Sequence, residues 1–156
     1  MPVAALSQLS YEAGVRALDL QERAIEQMRG RTGLLLAASS LTASFLGGQT
    51  ISHANGLGTL SGIALVALAT SIALSVYVLL PKSGFVFSLS GVGMFEELFD
   101  VDDEQEKRRR LVYWLEEYWV TNQAKIDELS RVFFAAAVAL VLQLAFWSWA
   151  LADTIS

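Results

Sequence analysis

The sequence predicts an all-α membrane protein with three transmembrane helices, in which the helices leading into the first and third extend into a cytoplasmic helical stalk. Three observations predict it. Residues 32–81 contain no Asp, Glu, Lys or Arg, and neither do residues 132–152. All eleven Lys and Arg residues fall before the first of these blocks or between the two. Finally, 54% of the 156 residues are hydrophobic and only 17% are charged, more apolar than one soluble core requires.

The elements follow in order. Residues 1–31 form a cytoplasmic amphipathic segment whose helix over 11–29 carries Ala13, Ala17, Leu20 and Ala24 on one stripe, with Val15, Leu18 and Ile25 beside it. Only Gly30 interrupts good helix formers before the membrane, so this helix is expected to run on into the first span, flexing there. The 50 uncharged residues 32–81 are too many for one crossing of a hydrocarbon core roughly 30 Å thick. They divide into a hairpin, about 32–52 and 58–80, at Ser52, His53, Ala54, Asn55, Gly56, Leu57 and Gly58, a run of small and turn-forming residues. The first apolar block lies behind a polar segment, so a cleavable signal peptide is not expected.

Residues 82–103 are a cytoplasmic connector. Phe85 to Ser90 alternates like a strand with no partner in view, Gly91 and Gly93 break it, and a helical turn over 94–99 precedes the acids Asp100, Asp102 and Asp103. Asp102 and Asp103 can cap a helix that begins near Glu104. Leu111, Leu115, Tyr118, Asn122, Ile126, Leu129 and Phe133 recur every three or four residues, so the cytoplasmic helix 104–131 continues into the third span, 132–152, with 153–156 as an outside tail. The absence of Lys and Arg from the hairpin loop and the tail puts the N-terminus and residues 82–131 inside and the C-terminus outside. Trp147 and Trp149 are expected as outer interfacial anchors, Phe85 and Phe87 as inner ones.

Candidate chemistry is sparse. With no cysteine there is no disulfide, thiolate metal site or cysteine nucleophile. The single histidine, His53, has no acid nearby in sequence, and no phosphate-loop, zinc-protease or nucleophile-elbow motif occurs. No enzyme activity, cofactor or metal is expected. The net charge of −5 argues against nucleic acid as partner. Five acids over 100–106 lack the spacing and glycine of a calcium loop and read as capping and solubility. Lys107, Arg108, Arg109 and Arg110 form the densest basic run, either a solvated face or a site for a phosphate-bearing ligand or partner. Asn122 interrupts the apolar seam, where an amide either fixes register or oligomeric state or satisfies itself on water or the chain's own backbone. On the first span Gly33, Ala37, Ser40, Ser44 and Gly47 or Gly48 make a small face that lets helices approach closely. Ser61, Gly62, Ala64, Ala69, Ser71, Ala73 and Ser75 do the same on the second. Gln143, mid-span, must find a partner inside protein, as inter-helix glue or lining an oligomeric pore.

The order of features resembles the Pycsar membrane effectors of bacterial antiphage defence and the related SMODS-associated two-helix effectors. The resemblance is carried by Arg31-Thr32-Gly33-Leu34-Leu35-Leu36-Ala37 at the first span, Pro81-Lys82 closing the hairpin, Phe85 and Phe87 in the connector, and Asn122 before the third span. It covers about Leu20 to Trp147, and the chain shows no recognisable fused nucleotide-sensing domain. It implies a homo-oligomer of the bacterial inner membrane that impairs the membrane when a cyclic pyrimidine nucleotide signals infection. The alternative is a non-enzymatic membrane scaffold or accessory subunit whose cytoplasmic stalk docks a protein partner.

Overall fold

A computed structural model describes residues 3–53, 58–88 and 90–155. Among these residues every regular element is helical and no strand forms. Helix α1 spans Val3–Thr42, a π-helical turn follows over Ala43–Gly47, and α2 covers Gly48–His53. Then come α3 (Thr59–Leu79), α4 (Gly91–Leu98) and the long α5 (Glu104–Ile155). The hairpin connection therefore begins later than Ser52, because Ser52 and His53 are still helical; Ala54, Asn55, Gly56 and Leu57 lie outside the described residues. Helix α1 passes through Gly30 unbroken: one glycine costs about 1 kcal/mol of helix propensity, and the good helix formers on either side outweigh it.

The chain divides into two compact units, Met1–Glu26 with Lys82–Asp127, and Gln27–Pro81 with Glu128–Ser156. Both α1 and α5 contribute residues to each. Of the charged residues, only Arg29, Arg31, Glu128, Arg131 and Asp153 belong to the second unit.

In the first unit α1 and α5 run parallel, since Gly14 meets Leu115 and Gln21 meets Gln123. The packed face of α1 is Gly14, Leu18, Gln21 and Ile25, whereas Ala13, Leu20 and Ala24 of the expected main stripe are exposed. Apolarity alone misplaced the face. A Cβ on Gly14 would stand 3.0 Å from Leu115 Cδ1, so glycine is what admits the leucine, and Gln21 donates from Nε2 to Trp119 O (3.0 Å) and Gln123 Oε1 (3.1 Å). On α5 the expected seam holds: Leu115, Asn122, Ile126 and Leu129 are buried. Asp103 Oδ1 accepts from Gln105 N–H at 3.0 Å, capping α5 where expected. Helix α4 begins at Gly91 because the Ser90 hydroxyl accepts from Gly93 N–H, so the two glycines lie inside the helix and do not break the chain.

In the second unit α1 and α5 are again parallel and α3 is antiparallel to both, as Ser39 meets Gln143 and Ser71 while Tyr77 meets Glu128. Buried Ser61, Ala64, Ser71, Ser75 and Val78 give α3 a seam of mostly small residues. The seam of α1 keeps steps of three and four through Thr32, Leu35 and Ser39, which would lead to 42 and 46. The π turn adds one residue to the register, and the next buried positions are Gly47 and Thr50. Helix α3 and the stretch Glu104–Asp153 are long and apolar enough to cross a membrane. The uncharged block 32–53 is divided among α1, the π turn and α2, so no single helix carries it whole.

Candidate functional site

Two constellations bring polar residues together, one in each unit. In the second, a hydrogen-bonded path joins all three helices. The Ser71 hydroxyl donates to Ala136 O (3.2 Å), which leaves Ser39 as donor in the 3.1 Å contact between the two serine Oγ atoms. Gln143 Nε2 donates to Ser39 O at 2.9 Å. Ser39, Ser71 and Gln143 are wholly buried, and these bonds offset the cost of taking them out of water. One turn along α5, Trp147 packs against Gly47, where a Cβ would stand 3.1 Å from ring atom Cζ2. Trp147 is therefore a buried packing residue and not the interfacial anchor its place in the sequence suggested; Trp149, 63% exposed, remains free for that role.

The expected pore or inter-helix residues separate into two groups. Gly47 and Gln143 face other helices of the same chain. Gly33, Ser40 and Ser44 are exposed, with Ser40 bonded to Leu36 O and Ser44 to Ser40 O on their own helix. The chain's own packing uses Ser39, one residue away, which sequence reasoning missed. Continuing the steps 18, 21, 25 through 32, 35 and 39 would have found it.

In the first unit the connector is held against α5 by one side chain. Asn122 Nδ2 donates to Val86 O (2.8 Å) and Val86 N–H donates to Asn122 Oδ1 (3.2 Å). This is the pairing a neighbouring strand would supply, and no strand forms at the alternating segment among the described residues; Leu89 lies outside them. Lys125 donates to Gly84 O and stands 5.4 Å from the Phe85 ring centroid, and Phe85 stacks on Phe87 at 5.5 Å. Gly84 has φ +89°, a conformation that favours glycine. The two phenylalanines are thus half-buried against each other and the connector.

Three of the four bases of the basic run are ion-paired on their own helix. Arg108 pairs with Glu104 at 2.6 Å, and Arg109 and Arg110 both pair with Glu106, at 3.1 and 3.2 Å. Lys107 is half-buried on the same turn. Beside these residues a cavity of about 550 Å³ is lined by Leu6, Ser10, Glu106, Arg109, Val112 and Tyr113. Among the described residues no group of three or more His, Asp or Glu could hold a metal ion. No protein-family model, curated protein or solved structure matches this chain.

Proposed function

We propose that this chain is a three-span protein of the bacterial inner membrane which, assembled in several copies, acts without catalysis as a membrane-perturbing or channel-like effector in antiphage defence. The observation that carries the membrane half is an apolar surface around a partly polar interior in the second unit. Its interior holds Ser39, Ser71, Ser75 and Gln143, while Leu34, Phe45, Val66 and Phe134 are each about 70% exposed on its surface. Water would penalise that surface at roughly 25 cal/mol per Å²; lipid would not. Parallel α1 and α5 with antiparallel α3 agree with an odd number of crossings, and the third crossing is the uncharged block 32–53.

The effector half rests on the resemblance to Pycsar membrane effectors, with a cyclic pyrimidine nucleotide as trigger and Lys107 to Arg110 as candidates to bind its phosphate. Three helices cannot enclose an ion path alone, so the activity requires a homo-oligomer, and the exposed small face of Gly33, Ser40 and Ser44 is available for contact between copies. Expression in bacterial cells tests it. Depolarisation and growth arrest are expected once a cyclic pyrimidine nucleotide is supplied; neither occurring at full expression, even with the nucleotide present, overturns the reading.

The second reading is a membrane scaffold, favoured by the cavity beside Tyr113 and Arg109. It predicts a stoichiometric partner lost on changing the exposed residues among 104–117.

A further inference from the structure

We propose that the core of the second unit binds a water molecule between Gln143 and Trp147. Both side chains are buried, at 0% and 1% exposure, and each carries a polar atom without a hydrogen-bond partner: Gln143 Oε1, an acceptor, and Trp147 Nε1–H, a donor. An unpaired polar atom in a dry interior is costly, so two on successive turns of one helix face call for a common partner.

The ligand's chemistry follows from the pair. A cation would meet the indole N–H, and an anion would meet the amide oxygen. Only a group that both donates and accepts satisfies the two, and water is the smallest that does. Gln143 cannot turn its amide over to remove the problem, because its NH₂ group is committed to the Ser39 carbonyl and a reversed amide would set oxygen against oxygen. The indole N–H is fixed in the ring plane and cannot rotate to an acceptor, as a serine hydroxyl can.

The backbone of position 47 packs on the ring beside that edge. A Cβ there would stand 3.1 Å from Trp147 Cζ2 and 3.6 Å from Cε2, the carbon that carries Nε1, so only glycine lets the ring sit this close without crowding the neighbourhood of the N–H. The π turn brings this glycine into register. The water would donate to Gln143 Oε1 and accept from Trp147 Nε1–H, extending the line from Ser71 through Ser39 and Gln143 to the tryptophan.

The inference rests on the packing of this unit and not on effector activity, so a negative depolarisation result leaves it standing. Protein labelled with ¹⁵N at tryptophan, in lipid nanodiscs, is examined for Overhauser transfer from the water resonance to each indole proton, with Trp147→Phe assigning the signal. A cross-peak of a long-lived water at the Trp147 indole is expected, and it is lost in Gln143→Leu. In Gly47→Ala, which keeps the glutamine but crowds the N–H edge, it is weakened or lost, and this variant decides the matter if Gln143→Leu fails to fold. No water cross-peak in the unaltered protein, or one unchanged in the folded variants, overturns the proposal.

Discussion

Asn122 does for the connector what a strand would do, offering one donor and one acceptor to the C=O and N–H of a single residue. Asn122→Leu fits the seam's apolarity yet strands Val86 N–H and C=O, so it is expected to destabilise the first unit by about 1–3 kcal/mol and to expose the connector to proteolysis. Gly14→Leu should cost a similar amount, about 1–3 kcal/mol in chemical unfolding, because a side chain there overlaps Leu115. Gln143 was legible in the sequence as an amide that must be paired, whereas Asn122 was left between a register role and contact with water or the chain's own backbone, and it takes the backbone. Their partners were not legible. Both are backbone carbonyls, at Val86 and Ser39, and a carbonyl has no residue identity to read. Ser39 and Ser40 show the same limit: adjacent serines on a helix rich in small residues, one wholly buried and one exposed, which composition alone could not separate.

At the scale of elements, periodicity located α3 and α5 to within a few residues, because long runs of one period leave little choice of register. It missed the π turn, since one extra residue changes the phase of a seam without changing its composition. Deleting Ser44 restores a regular helix over 43–47 and turns every later residue of that segment by about 100°. Gly47 then leaves Trp147, and the Trp147 indole should show altered fluorescence while the circular dichroism of the helices is retained; an unchanged indole would remove the turn's role in register. The connector shows the opposite failure. Alternation from Phe85 to Ser90 reads like a strand, yet no strand forms there among the described residues, and Val86 pairs with a helix side chain.

At the scale of the molecule, charge is the signal that survived best. The second unit holds five charged residues, four of them at 29, 31, 128 and 131, where the parallel α1 and α5 place them at the same end of that unit, and the fifth at Asp153. If its surface faces lipid, Val66→Arg costs about 2.5–3.5 kcal/mol of membrane insertion, read as a fall in the membrane-integrated fraction. Val120→Arg, equally apolar and exposed but in the first unit, should change stability by no more than about 0.5 kcal/mol. Equal effects of the two would make the surfaces alike.

The three-span reading is tested most directly by which side of the membrane each end of α5 occupies. The sequence contains no cysteine, so Glu117→Cys and Asp153→Cys each introduce a single thiol on a silent background. With a membrane-impermeant maleimide on intact cells, Asp153→Cys should label at once and Glu117→Cys only after permeabilisation. Labelling of both from the same side would contradict the account.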